Sequence, residues 1–180
     1  MDLFALNTTL TSYLLMNTAV PAEFVIRPVQ ADDVDLMLEM HQRLSTETLY
    51  KRYHTPRMPS CEDIEQICLL PKKNGRVLVT AVVGKNPKIV AVAYYIKTDA
   101  DIAETAFLVE DSYQGLGLGR RLMQQLTHAA LRQGIHFFDA LILPSNQTML
   151  HLLHQTGEMV YNKIDIGARD IRIQLHTVSG

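Results

Sequence analysis

The sequence predicts a mixed α/β domain of the α+β type: a central, mostly antiparallel sheet flanked by helices. Three observations predict it. Three β-like runs, at 76–83, 88–96 and 101–109, are joined by connections around Gly84-Lys85-Asn86-Pro87 and Thr98-Asp99-Ala100, short enough to imply an antiparallel meander. The third run leads through a glycine-rich turn into a segment with Leu118, Leu122, Leu126 and Ala129-Ala130 at helical spacing. A buried-type run, 137–143, follows that helix, and strand, helix, strand in this order imply one parallel pair.

The remaining elements follow from local signals. Residues 1–22 form an N-terminal arm whose pattern suits a short helix packing on the domain or on a second subunit, so a homodimer is one expected assembly. The domain occupies residues 23–180. Glu23-Phe24-Val25-Ile26-Arg27-Pro28 is a short strand closed by proline, and Ala31-Asp32-Asp33 starts a helix through Met40. Ser45 opens a second helix of basic and aromatic character, which Pro56 and Pro59 end. Ser60 caps a third, with acids in its first turn and Pro71 as its stop. After the 137–143 strand, Asn146 opens a helix closed by Gly157, and runs at 159–166 and 169–175 form a hairpin around Gly167.

Composition narrows the function classes. With 180 residues, 47% hydrophobic, 20% charged and a formal net charge of −2, the chain suits one soluble globular domain. It lacks the basic excess that generic nucleic-acid binding needs, and no run approaches a membrane span. The apolar start has no basic n-region, so the expected location is the cytoplasm. Cys61 and Cys68 match no zinc spacing and are expected as buried or half-buried free thiols on one helix face. His151 and His154 have no carboxylate beside them, so no metal site is expected there.

The chemistry concentrates at Gln114-Gly115-Leu116-Gly117-Leu118-Gly119, followed by Arg120-Arg121. Glycines at a strand-to-helix junction allow positive φ and close backbone approach, and the first helical turn leaves N–H groups without intrahelical partners. Those amides, the helix dipole and the two arginines form an anion site. A Walker loop would need Gly-Lys-Ser/Thr, and a dinucleotide fingerprint a different glycine spacing. What remains, Gln-x-x-Gly-x-Gly, resembles the pyrophosphate loop of the GNAT acetyltransferase superfamily.

That resemblance extends over most of the domain. The strand and helix opening, the meander, the loop helix and the terminal hairpin come in GNAT order. Asn146 with Gly157 eleven residues on resembles the last GNAT segment, whose Asn contacts CoA. The fold implied is the GNAT acyl-CoA acyltransferase fold, with its parallel pair splayed at the cofactor site. The resemblance implies acetyl-CoA as co-substrate, with no metal. It assigns cofactor contacts to Gln114, Gly115, Leu116, Gly117, Leu118, Gly119 and Arg120 in the loop, to the backbone of Phe107, Leu108 and Val109, and to Asn146. Many GNAT enzymes place a Tyr seven residues after this Asn as general acid. Here that position is Leu153.

An amine acceptor must lose a proton before it attacks a thioester, which requires a base. Glu104 is the candidate, on the strand leading into the loop and among Ala103, Thr105, Ala106 and Phe107, an apolar setting suited to raising a carboxyl pKa. The alternative is an ordinary solvent-facing strand Glu. Glu110 and Asp111 are expected to shape the turn. Arg43 to Tyr53, Ala103-Glu104-Thr105-Ala106-Phe107 and Asn146-x-x-Met149 resemble, more narrowly, the GNAT domains of Pat-type bacterial protein lysine acetyltransferases, which use a Glu at this position. Lys51, Arg52, His54 and Arg57 are candidates for steering an acidic surface or covering CoA phosphate. The expected function is an N-acetyltransferase acting by direct attack in a ternary complex on an amine, a protein lysine or a small molecule. A CoA-binding regulatory module without turnover is the alternative, and no nucleic-acid or membrane partner is expected.

Overall fold

The computed structural model describes residues 23–70, 74–83 and 86–176. The N-terminal arm lies outside them. Among the described residues, seven strands form one sheet in the order β1-β2-β3-β4-β5-β7-β6: β1 Phe24–Pro28, β2 Gly75–Val82, β3 Lys88–Lys97, β4 Ile102–Val109, β5 Phe137–Ile142, β6 Gly157–Asp165 and β7 Ala168–Leu175. Every neighbouring pair is antiparallel except β4 with β5, because α4 (Leu118–Leu131) carries the chain back between them.

Both sheet faces are apolar, and each buries its own helices. On one face α4 sets Leu122, Met123, Leu126 and Ala130 against Ala91, Ala93, Ala103, Phe138, Ile171 and Ile173, and α5 (Gln147–His154) adds Leu153. On the other face α1 (Val34–Gln42) and α3 (Cys61–Leu69) bring Met37, Met40, Ile64 and Cys68 onto Val77, Val79, Ile89, Val92 and Leu108. The second helical layer covers β2 and β3. Among the described residues, the β5, β7 and β6 part of that face carries half-buried and exposed side chains instead: Phe137, Asp139, Leu141, Arg172 and Tyr161.

The start signals act as the sequence implies. Ser60 accepts from the Asp63 amide while Asp63 accepts from the Ser60 amide, a reciprocal cap for α3. Ser45 accepts from the Thr48 amide and caps α2 (Thr46–Tyr53). The predicted helix start at Ala31 is a single 3₁₀ turn, Ala31–Asp33, and Asp33 there accepts a two-pronged bond from Arg27 at 2.6 and 2.7 Å. Cys68 is buried as expected, but Cys61 is exposed. It is the first residue of α3, and the helix meets the core only from Ile64 onward.

Candidate active site

The β4–β5 ladder is short. It pairs Ile102 with Phe137, Ala103 with Phe138 and Glu104 with Asp139, and ends there. Beyond Glu104 the two strands part, while β4 stays paired to β3 up to Val109. Between them opens a cavity of about 410 Å³, with residues 104–109 of β4 on one wall and Leu141 and Ile142 of β5 on the other. α2 contributes Thr48, Lys51 and Arg52, and α5 contributes Met149, His151 and Leu152 among others, with its N-cap Asn146 beside them.

Strand parity decides which backbone groups face this opening. The Glu110 amide donates to Val90 O at 2.8 Å, and antiparallel pairs alternate between bonded and non-bonded. With Leu108 opposite Val92 and Ala106 opposite Tyr94, the backbone groups of Leu108 and Ala106 are spent on β3, and those of Thr105, Phe107 and Val109 turn to the cleft. Of the three residues whose backbone was expected to meet a pantetheine, Phe107 and Val109 therefore face the opening. Leu108 lines the cavity but directs its amide and carbonyl away. The Val109 carbonyl already accepts from Gln114 Nε2 at 3.1 Å, which leaves its amide.

The glycine loop closes one end of the cleft. Gly115 and Gly117 both hold φ of 77°, a left-handed conformation that a Cβ would oppose. Gly117 stands at the N-cap of α4, and its carbonyl accepts from the Arg121 amide at 3.1 Å. The amides of Leu118, Gly119 and Arg120 thus belong to the first turn, ahead of the intrahelical ladder, at the positive end of the dipole. Leu118 is buried at 1% exposure and anchors the turn to the core, while Leu116 is exposed and Arg120 lines the cavity.

Two carboxylates hold the loop's approach in place. Asp111 Oδ1 accepts from Ser45 Oγ at 2.7 Å and Thr48 Oγ1 at 2.8 Å, and Oδ2 from the Ser45 amide at 3.0 Å. Burial works against its charge, but these bonds outweigh it and hold the Asp111 carboxyl below the usual range. Glu110, 4% exposed, accepts from Arg43 Nε at 2.9 Å, and Arg43 also donates to Ile89 O at 2.8 Å. Both residues shape the turn, as their place before the loop implies.

Glu104 lines the cavity at the point where the strands part. The apolar setting expected for it is absent, since its side chain is exposed. β4 alternates, and position 104 projects on the face that the second helical layer leaves uncovered. Asn146 lines the cavity and accepts from the Met149 amide at 3.2 Å, so one residue caps α5 and faces the cleft. Leu153 does not reach it: its exposure is 0%, within the core beneath α5. Of the basic cluster, Lys51 and Arg52 line the cavity. The Arg52 guanidinium lies 4.8 Å from the Tyr53 ring and 5.3 Å from that of Tyr94, whose hydroxyl accepts from it. Sequence reasoning missed Tyr113 and His151 as lining residues: Tyr113 falls in no spacing pattern, and His151 enters that reasoning only with His154 as a metal pair.

The sequence model of the Acetyltransferase (GNAT) family matches residues 38–157, well over half of the chain and every element around the cleft. The chain belongs to this family. Acetyltransferase Pat of Mycolicibacterium smegmatis is 32% identical over 146 residues, which cover 80% of this chain and 43% of that protein, so this GNAT chain spans less than half of its curated relative. The crystal structure of the GNAT domain of S. lividans PAT superposes with a TM-score of 0.74 at 25% identity, covering 83% of this chain and 89% of that one. YncA of Salmonella typhimurium, solved with its cofactor acetyl-CoA, gives 0.68 at 18% identity over 88% of this chain and 98% of that one, a likeness of fold. Among the described residues, no helix of this GNAT domain is long and apolar enough to cross a membrane.

Proposed function

We propose that this GNAT domain, residues 23–180 behind an arm at 1–22, transfers an acetyl group from acetyl-CoA to an amine, and that the amine belongs to a protein lysine. One observation carries the reading: the β4–β5 ladder stops at Glu104, so a single cleft joins the glycine loop, the free backbone edge of β4 and a carboxylate. The first-turn amides of α4 and Arg120 suit the pyrophosphate. The cleft-facing amides of Phe107 and Val109 suit the pantetheine, which would lie along β4 like an added strand, and can stabilise charge developing on the thioester oxygen. Asn146 borders the same channel.

Glu104 takes a proton from the acceptor ammonium, directly or through water. The freed nitrogen lone pair attacks the thioester carbonyl carbon, the new C–N bond forms as the C–S bond breaks, the nitrogen sheds its second proton to water, and the departing thiolate takes a proton from solvent. The open sheet face beside Glu104 favours a protein acceptor over a small enclosed amine, and the narrower likeness to Pat-type domains agrees with it.

The test is acceptor-dependent thiol release from acetyl-CoA, with mass spectrometry locating the acetyl group on nitrogen. Expected are free thiol and acetyl-lysine on protein acceptors. Turnover confined to small amines would replace the lysine assignment, and tight acetyl-CoA binding without thiol release across proteins and amines would make this a binding module.

A further inference from the structure

The register of the sheet places four polar side chains in one row on the uncovered face: Glu104 on β4 opposite Asp139 on β5, Asp139 opposite Arg172 on β7, and Arg172 opposite Tyr161 on β6. Directly paired residues share a face at the strand spacing of about 4.8 Å. The flanking row behaves oppositely, since Ala103, Phe138 and Ile173 all enter the core. Within the polar row, Arg172 grips Asp139 with two bonds, Nε to Oδ1 at 2.6 Å and a terminal nitrogen to Oδ2 at 2.7 Å. The guanidinium also lies 5.4 Å from the Tyr161 ring centroid, and the Tyr161 hydroxyl donates to Asp170 at 3.3 Å.

Carboxylates set directly across from one another repel, and a sheet without a use for them would not retain the pair unaided. Here only one of the two is compensated. Among the described residues Arg172 neutralises Asp139, while Glu104 has no ion-pair partner. The row therefore reads cation, anion, gap, anion; Glu104 lines the cavity, and Asp139, beyond that lining, stands next to Glu104 on the same uncovered face. A third group of one positive charge would complete the alternation.

We propose that Asp139, held in place by Arg172, is the positioning residue for the acceptor: it receives the ammonium of a lysine side chain next to Glu104 and keeps that place selective for cationic amines. The inference rests on the reading of Glu104 as the base. The two carboxylates divide the work. Asp139 is tied to Arg172 by two bonds, while Glu104, exposed and without an ion pair among the described residues, is open to the acceptor. The groups facing Glu104 are Ile96 from β3, Asp139 from β5 with Arg172 behind it, and Lys51 and Arg52 from α2 across the cavity.

Three variants test it: Asp139→Asn, Arg172→Gln and the exchange Asp139→Arg with Arg172→Asp. The first readout is thermal unfolding of the whole chain, which both single changes are expected to bring to lower temperature because each breaks the Asp139–Arg172 pair. The second is kinetics with a mixed pool of N-terminally blocked lysine peptides. Asp139→Asn is expected to raise KM about tenfold with kcat changed far less. The exchange variant restores an ion pair and with it thermal stability, but leaves a cation beside Glu104, so KM stays high. Recovery of stability and KM together in the exchange variant makes the pair structural and overturns the proposal, as does an unchanged KM in Asp139→Asn. Glu104→Gln run alongside separates the two readings: full turnover there removes the base, whereas a lost base with unaltered kinetics in the Asp139 variants removes only the acceptor site.

Discussion

The Ser45 hydroxyl donates to Asp111 at 2.7 Å across 66 positions of sequence, and the same hydroxyl accepts the Thr48 amide at 3.2 Å to cap α2. A single side chain thus fixes the start of the helix that carries Lys51 and Arg52 into the cavity and ties it to the turn that leads into the glycine loop. Both ends of the candidate cofactor channel share that tether.

Removing the acceptor should loosen both. Asp111→Ala is expected to cost about 1–2 kcal/mol, the net worth of a few partly exposed bonds, and to weaken acetyl-CoA binding. The carboxyl is held below its usual range in the folded protein. Its stabilisation is therefore complete above the unfolded value near 3.8 and is lost as pH falls through the lower folded value. Denaturation midpoints between pH 3 and 6 should show the wild type losing its advantage over Asp111→Ala only below about pH 4.

Gly117 separates strain from charge. Gly117→Ala puts a Cβ on a residue at φ 77°, which costs about 1–2 kcal/mol of backbone strain. Gly117→Glu adds an anion where the first-turn amides collect negative charge, so calorimetry should find acetyl-CoA affinity lower by at least about tenfold relative to the alanine variant. Equal affinities in the two folded variants would move the cofactor away from this loop.

The elements that set the fold could be read because their signals are local. Short connections mark the meander, three glycines mark the loop, and Ser45, Ser60 and Asn146 cap the helices they precede. The cross-strand row could not be read, because Glu104, Asp139, Arg172 and Tyr161 meet only through a register that no single strand encodes. Glu104 looked apolar in its setting because sequence neighbours on a strand point to the opposite face. Gly157 follows α5 as a helix-ending glycine would, yet it begins β6, and a Cβ there would lie 2.0 Å from the Gln174 carbonyl oxygen, so close backbone approach is its reason. At the last hairpin Gly167 signals the turn. Ile166 beside it holds φ 45°, which no β-branched residue advertises.

His41 gives the fold a second pH dependence. It is 1% exposed, with Nδ1 2.6 Å from the Met37 carbonyl and Nε2 2.7 Å from the Tyr53 hydroxyl, so Nδ1–H donates and Nε2 accepts. Burial lowers its pKa below 6.5, against the Met37 bond and with help from the Arg52 charge. The unfolded chain then takes up this proton first, and stability falls as pH drops below about 6.5 toward the folded value. Urea midpoints measured from pH 7.5 to 5 should decline less steeply in His41→Gln than in the wild type.

Restoring the family's usual tyrosine should fail. Leu153 is sealed in the core beneath α5 rather than beside the cleft, so Leu153→Tyr adds volume and a hydroxyl where there is room for neither. Thermal unfolding should show a loss of about 1–3 kcal/mol, with no gain in turnover. A stable, faster Leu153→Tyr enzyme would mean that α5 can rotate this position toward the thioester.

Glu104→Gln keeps the shape of the side chain and removes its capacity to accept a proton. Because the residue is exposed and free of ion pairs among the described residues, the change should leave unfolding and acetyl-CoA affinity almost as they were. Turnover near neutral pH should fall by on the order of a hundredfold. The deficit should shrink at high pH, where hydroxide supplies the free amine without help. A solvent-facing glutamate with no role would leave both rate and pH profile untouched, and that result would pass the proton to water or to a group on the acceptor.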